Sequence, residues 1–540
     1  MRHTLPALAL TALVSLTCQV TSHAQPAVHK PNILLILADD LGFSDIGCYG
    51  GEVHTPNLDK LADRGLSYTQ FYNTTRCWPS RAAILTGYYA QQVRRDRMPN
   101  SRGPIFSVRP SWAHLIPYYL AAGGYRSYHD GKWHMDGIPM NQGFDHSYYI
   151  HDTTNYFSPR LQFDDSVPIK VPAAGFYATK SIADHAIAHL TDHVRNYSGR
   201  PFFEYLAFTA PHFPLQALPE DIARYQHRFD AGWDVLRAQR LDRMKRIGIL
   251  NCELSARTPG VPAWNAISEK EKYKWSTRMS IHAAMVDRMD QEIGRVLAQL
   301  RKMNVLDNTA IFFMSDNGAS AEVGPREPQD SNPTPGSEQS FVCLEPGLAN
   351  LANTPLRLSK IFVHEGGIST PMIVNWPAGM RSRGELRKNP GHLIDMMPTI
   401  LEIAGVPGPA PSNSGRYVPA PPGRSLVPSF DKDNTVSHDY LWWFHSNNRA
   451  IRIGDWKIVA EGPDTPWELY NMQADRSEMH NLAAVYPDKV SELAKVWQAH
   501  TDEFRLAATS EGPPEILHMP GYTQLRKPPR IPRARRAVAF

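Results

Sequence analysis

Continuous apolar runs and helical stripes alternate along this chain. Pro31-Asn32-Ile33-Leu34-Leu35-Ile36-Leu37-Ala38 ends at Asp39-Asp40, and Thr309-Ala310-Ile311-Phe312-Phe313-Met314-Ser315 ends at Asp316-Asn317. Phe202 to Ala207, ahead of Pro211-His212, is a third candidate strand. Apolar runs of this kind suit strands buried on both faces of a parallel sheet. Helical patterns lie between them, clearest where Ile281, Met285, Met289, Ile293, Val296 and Leu300 fall on one stripe. Strands alternating with helices imply an α/β layer fold. Ligands in open α/β sheets sit beyond the carboxyl ends of the strands, so the acids and amide that follow the two runs mark where a site should be.

The pattern changes downstream. Residues 325–353 are polar, rich in Pro and Gly and without a clear period, which predicts a long loop walling or covering a site. Residues 407–428 are Pro-rich and read as a linker or surface excursion. Beyond them Leu441-Trp442-Trp443-Phe444, Ala450-Ile451-Arg452-Ile453, Trp456-Lys457-Ile458-Val459 and Trp467-Glu468-Leu469-Tyr470 are short β-type runs split by turn signals, and a helical pattern covers Asp488 to Leu506. They predict a smaller α+β domain with an antiparallel sheet. The expected organisation is a catalytic domain over 25–430, an α+β subdomain over 431–515 and a tail over 516–540.

Composition narrows the class. A chain of 540 residues with 42% hydrophobic and 20% charged content can bury a large core and reads as a globular enzyme. Residues 1–24 have the form of a secretory signal: Arg2 and His3, an apolar stretch from Leu5 to Leu16, and the small-residue site Ser22-His23-Ala24. An exported protein, periplasmic or secreted and without stable membrane insertion, is expected. Of the five cysteines, Cys18 leaves with the signal, and Cys48, Cys252 and Cys343 allow one disulfide at most, which excludes a disulfide scaffold. The net charge of +4 is concentrated in the tail, where Arg526, Lys527, Arg530, Arg533, Arg535 and Arg536 occur with no acid. Its prolines argue against a helix, and a solvated, disordered terminus is expected. The body is near neutral, so nucleic acid is not an expected partner.

Asp39, Asp40, Asp316 and Asn317 form a set of hard oxygen donors that suits Ca²⁺ or Mg²⁺ rather than zinc or copper. Cys77 opens the run Cys77-Trp78-Pro79-Ser80-Arg81, with Leu85-Thr86-Gly87 behind it. A thiol at a helix start could simply be a reactive cysteine of lowered pKa. Arg81, four residues on, shares its helical face. Gly131-Lys132-Trp133-His134, Pro211-His212-Phe213-Pro214 and Thr354-Pro355-Leu356-Arg357-Leu358-Ser359-Lys360 ahead of Glu365-Gly366-Gly367 complete the candidates. Taken singly, each reads equally as turn or surface.

Together these segments resemble the type I sulfatases, whose signature is Cys-x-Pro-x-Arg followed by Leu-Thr-Gly, and in particular a bacterial arylsulfatase-like group. The resemblance implies an alkaline-phosphatase-like fold, a large mixed sheet sandwiched by helices. It also implies that Cys77 is oxidised to Cα-formylglycine by a formylglycine-generating or anaerobic sulfatase-maturing enzyme. The aldehyde hydrate attacks sulfur through one hydroxyl and expels sulfate through the other. By the same resemblance, one calcium ion is held by Asp39, Asp40, Asp316 and Asn317 with residue 77. Arg81 orients the formylglycine, Lys132 binds sulfate and the formylglycine, and His134 is the base for sulfate release. His212 is the general acid facing the leaving group, and Lys360 lies on a sulfate oxygen toward that group.

The first function expected is hydrolysis of sulfate esters, on a sulfated oligosaccharide or small molecule. Aryl sulfate hydrolysis, phosphonate or phosphodiester hydrolysis within the same superfamily, and an inactive sulfatase-like binding protein are the alternatives. His445 is the candidate substrate contact of the smaller domain, with Asn448 and Arg449 beside it; His151, Asn155 and Tyr156 are open between contact and structure.

Overall fold

The structure is a computed structural model that describes residues 30–99, 107–151, 155–172, 174–324, 333–410 and 418–512. The expected signal over 1–24 and the tail over 516–540 lie outside the described residues. Two sheets organise the chain. The strands of the first are β1 (Asn32–Ala38), β2 (Leu66–Tyr72), β3 (Arg126–Gly131), β4 (His146–Ile150), β5 (Gln162–Asp164), β6 (Val167–Ile169), β7 (Phe202–Ala207), β8 (Thr309–Ser315), β9 (Ser369–Asn375), β10 (Glu385–Arg387) and β11 (Gly391–His392). Their order is β10-β2-β9-β8-β1-β7-β3-β4-β5-β6, with β11 also on β2. β8, β1, β7, β3 and β4 are mutually parallel, while β9 and β5 run antiparallel to their neighbours.

The unbroken apolar character of β1 follows from this central place. Leu34, Ile36 and Ala38 join one core with Ile182, Ile281 and Met285, while Ile33, Leu35 and Leu37 join the other with Ala82, Leu85 and Ile400. Helices therefore cover both faces, and no position of the strand faces water. The helix Glu269–Lys302 starts at a capping box between Ser268 and Glu271 and buries the stripe of Ile281, Met285, Met289, Ile293, Val296 and Leu300. Register levels the strand ends: Ala38 lies opposite Ser315, Leu37 opposite Ala207, and Gly131 opposite Ala207. The residues just past β8, β1, β7 and β3 consequently emerge side by side.

The stretch predicted as a loop over 325–353 departs from expectation at its far end, where Glu345–Ala352 is a helix. Its Leu348, Leu351 and Ala352 pack into the larger core, so burial supplies the helix that weak periodicity hid. Residues 325–332 lie outside the described residues. The described residues 418–428 of the Pro-rich stretch close onto the body, the Arg424 amide donating to Asp395 Oδ1 at 2.8 Å. Cys48, Cys252 and Cys343 are free thiols. No described helix is long and apolar enough to cross a membrane.

The second sheet is antiparallel, with β12 (Leu441–His445), β13 (Asn448–Ile453), β14 (Trp456–Ala460) and β15 (Glu468–Asn471) in chain order. The helix Pro487–Thr509 covers one face, stacking Trp497 on Trp442 at 6.0 Å. The other face meets the large sheet, with Trp443 edge-on to Tyr72 at 5.4 Å. Buried charges fasten this contact. Lys457 Nζ donates to Glu365 Oε1 at 2.9 Å and to Glu478 Oε1 at 2.8 Å, and Arg476 donates to Glu365 Oε2 at 3.0 Å. Despite burial, the two cations hold the Glu365 carboxyl down at about 2. Replacing Lys457 with Met leaves the buried Glu478 without its cation and Glu365 with Arg476 alone, so urea denaturation should show a loss of about 3–5 kcal/mol, the usual cost of breaking one side of a buried pair.

Candidate active site

Four neighbouring strands deliver the polar groups of one cavity. Past β1, the Asp39 amide donates to the Ala210 carbonyl at 3.0 Å, and Asp40 adopts φ +65°. Past β8, the Asp316 amide donates to the Ala38 carbonyl at 3.1 Å, which sets Asp316 beside Asp39. Past β3, the Lys132 amide donates to the Ala207 carbonyl at 2.8 Å. Past β7, His212 follows the turn at Thr209, and the Tyr156 hydroxyl donates to the Thr209 and His212 carbonyls at 2.6 and 2.8 Å. The helix Cys77–Thr86 points its first residue into the same space.

Charge is paired tightly there. Asp39, Asp40, Asp316 and Asn317 are all buried. Arg81 donates from Nη2 to Asp316 Oδ2 at 2.9 Å and from Nη1 to the Lys132 carbonyl at 2.7 Å. Lys132 Nζ is bonded to Asp39 Oδ2. Lys360 Nζ reaches Asp40 Oδ1 at 2.8 Å and Glu322 Oε2 at 3.3 Å. Asn317 Nδ2 donates to Asp40 Oδ1 at 2.6 Å, and His212 Nε2 lies 3.6 Å from Asp40 Oδ2. The His134 and His212 imidazoles lie beside the Cys77 thiol, the His212 donor nitrogen within 4.8 Å of it.

Burial alone would raise the Cys77 thiol, but the Lys132 and Lys360 ammonium groups and the two histidines bring it well below the usual thiol value. Loss of solvent pulls the His134 imidazole down to about 4. Burial and the charges of Asp39 and Cys77 push the Asp316 carboxyl well up, while Lys132, His212 and Arg81 outweigh burial at Asp39 and hold it low. The cations thus hold Asp39 ionised more easily than Asp316, where burial dominates.

The donor set fits a hard divalent cation. Asp39 Oδ1 and Asn317 Oδ1 are buried with no hydrogen-bond partner, and such oxygens are costly unless something positive meets them. Donor atoms of Asp39, Asp40, Cys77 and His212 all lie within 4.8 Å of one another. Asp316 Oδ2 is turned to Arg81, and its Oδ1 accepts the Asp40 amide at 3.4 Å.

The family model named Sulfatase matches residues 31–406, a span that contains every one of these side chains. The chain belongs to the sulfatase family. It is a sulfuric ester hydrolase, and residues 357–503 match a second model, N-sulphoglucosamine sulphohydrolase, C-terminal. The sulfatase is 34% identical to an uncharacterized sulfatase of Schizosaccharomyces pombe, over 88% of this chain and 94% of that one. It is 28% identical to the arylsulfatase of Klebsiella aerogenes, over 74% and 91%. Among solved structures, that of Ps i-CgsB in complex with k-i-k-neocarrahexaose superposes with a TM-score of 0.64 at 26% identity, covering 87% of this chain and 93% of that one.

Several residues at the sulfatase site were not singled out by sequence. Arg76 pairs with Glu322 at 3.0 Å, and its guanidinium lies over the Trp78 ring at 5.1 Å. Asp40, Thr75, His134, Leu358 and Ile361 all have φ between +56° and +84°, a clustering of uncommon backbone conformations around the cavity that no composition signal announces. The candidates of the smaller sheet separate. His445 reaches the site through Trp78, its ring 5.6 Å from the indole, and its Nδ1 donates to Asp96 Oδ2 at 2.8 Å. Asn448 braces the loop of Lys360, donating to the Ile361 carbonyl at 2.9 Å. Arg449 turns away to the Pro463 and Thr465 carbonyls. Asn155 caps the amides of Phe157 and Ser158, Tyr156 braces the His212 turn, and the His151 amide donates to the Leu161 carbonyl.

Proposed function

We propose that this sulfatase hydrolyses sulfate esters of carbohydrates through residue 77 as formylglycine and one calcium ion. The observation that carries the reading is the convergence of Cys77, two lysines, two histidines and Arg81 on a buried set of oxygen donors. Once converted, residue 77 supplies a hydrated aldehyde, with one hydroxyl to attack sulfur and a second whose deprotonation expels sulfate. Asp39, Asp40, Asp316 and Asn317 would hold calcium, which supplies positive charge to the reacting oxygens.

The remaining work falls to the chain's own side chains. Lys132 and Lys360 bind the sulfuryl oxygens and offset the charge that develops on them. Arg81 fixes Asp316 and the Lys132 backbone, so the helix start and the oxygen donors keep one geometry. His134, held low in pKa, takes a proton from the residue-77 hydroxyl. His212 gives its Nε2 proton to the departing alcohol. His445, with its ring set by Asp96, is the contact for the group bearing the sulfate. Conversion of Cys77 falls to a formylglycine-generating or anaerobic sulfatase-maturing enzyme, and burial of Cys77 requires that it act before the fold closes. Export, periplasmic or secreted, through residues 1–24 completes the reading.

Beside the arylsulfatase of Klebsiella aerogenes, relatives with sugar-sulfatase names support a sugar substrate. An N-acetylglucosamine-6-O-sulfatase of Bacteroides thetaiotaomicron is 25% identical over 93% of this chain, and the Ps i-CgsB structure holds a neocarrahexaose. The test is a panel of sulfated mono- and oligosaccharides, nitrophenyl sulfate and phosphodiesters, read by release of sulfate or phosphate. Sulfate should be freed from a sugar, release should stop with EGTA, and added calcium should restore it. Cleavage confined to phosphodiesters, or turnover indifferent to chelation, would overturn the reading.

A further inference from the structure

Trp78, at the first unspecified position of the Cys77–Arg81 run, has no role in the chemistry assigned so far. Its placement is nonetheless specific. The indole meets the His134 ring at 5.7 Å and 64°, and the His445 ring at 5.6 Å and 65°. Both are edge-to-face arrangements, the favoured geometry for aromatic pairs. Arg76 lies over the indole at 5.1 Å and is itself anchored to Glu322 at 3.0 Å. His445 is anchored in turn to Asp96, whose Oδ2 also accepts from Gln91 Nε2 at 3.2 Å. The indole thus bridges two imidazoles that come from different sheets, one past β3 and one at the end of β12.

The His134 backbone sits at φ +56°, in the left-handed region that few non-glycine residues enter, although histidine does so more readily than most. Trp78 is the next residue after the nucleophile, so a ring packed on His134 ties the base to the same helix start that carries residue 77. We propose that Trp78 is a positioning residue, whose indole holds the His134 imidazole against residue 77 and couples that alignment to His445 and the smaller sheet. The proposal rests on the sulfatase reading of His134.

Two measurements test it, one of which needs no turnover. In histidine-labelled full-length protein, the imidazole C–H resonances of His134 and His445, assigned by their loss in His134→Ala and His445→Ala, should both move in Trp78→Ala as the indole ring current is lost. In converted, calcium-loaded enzyme, Trp78→Ala should lower kcat for nitrophenyl sulfate about 100-fold, the scale of a misplacement near 1 Å, with a much smaller change in KM. Trp78→Phe, which keeps an edge-to-face partner, should restore most of kcat, and thermal midpoints should stay together across the set. Unmoved resonances, an unchanged kcat in Trp78→Ala, or a fall in kcat that tracks the thermal midpoint without rescue by Phe would each overturn the proposal. A wild-type protein that frees no sulfate would overturn the sulfatase chemistry instead, and the resonances would still decide whether Trp78 holds the two rings.

Discussion

Cys77→Ala should reduce turnover by a factor on the order of 10⁶, the scale on which an enzyme loses its covalent nucleophile. Folding should be unaffected, because Ala is a good helix former and Cys77 sits at the first position of its helix. The same residue carries a second signature. Conversion of the thiol to the aldehyde makes the peptide that contains residue 77 about 18 Da lighter, which mass analysis of the mature protein reads directly. Activity across preparations should scale with the converted fraction. Protein in which residue 77 is wholly thiol and which still frees sulfate at the full rate would sink the mechanism, whatever the alanine variant does.

The carboxyl-end location of the site was legible because β1 and β8 are both apolar throughout and both end on oxygen donors. That pattern needs a strand buried on two faces, and the register Ala38 to Ser315 then forces Asp39 and Asp316 together. Lys132, His134 and His212 were legible only through resemblance. The strand before His212, β7, was itself legible as an apolar run, whereas β3, before Lys132 and His134, carries the buried Asp130 and His129, which break the apolar signal. What could not be read locally is the set of partners brought from far along the chain. Glu322 joins Lys360 and Arg76 across long sequence separations, and Lys457 joins Glu365 between the two sheets. Each looks like a surface charge in sequence and becomes part of a pair, half-buried at Glu322 and fully buried at Lys457–Glu365, only when tertiary packing closes. The helix Glu345–Ala352 belongs to the same class, since its apolar side is short and is explained by the larger core it meets.

These long-range pairs bear on how the two sheets cooperate. Glu365 lies a few residues past Lys360 and is gripped by Lys457 and Arg476 of the smaller domain. Asn448 holds the Ile361 carbonyl from the same side. The loop that presents Lys360 is therefore braced by the second sheet at two points, although Lys360 itself pairs with Asp40 and Glu322 and lies over the Phe213 ring. Because the Glu365 carboxyl is held at about 2 in the fold, its contribution to stability is complete above the ordinary glutamate range and is lost as pH falls toward 2.

His212→Ala should slow the hydrolysis of sugar sulfates by about 10²–10⁴-fold, the usual worth of a positioned general acid, while nitrophenyl sulfate loses far less. The geometry sets this direction. His212 Nδ1 faces the Phe213 carbonyl at 2.5 Å, and a carbonyl only accepts, so Nδ1 keeps its proton. A neutral ring so bonded has no proton on Nε2, so the transferable proton is that of the imidazolium, on the nitrogen that lies 3.6 Å from Asp40 Oδ2. Pro211 and Pro214 bracket the residue, and the Tyr156 hydroxyl holds its carbonyl, so the imidazole has little freedom to leave this position. A sugar alkoxide is a poor leaving group and needs that proton as the C–O–S linkage opens. A nitrophenoxide disperses its charge into the ring and departs without it. Rates for a series of aryl and alkyl sulfates should therefore fall more steeply with leaving-group basicity in His212→Ala than in the wild type. Equal losses for both classes would assign His212 to binding or metal ligation instead of proton transfer.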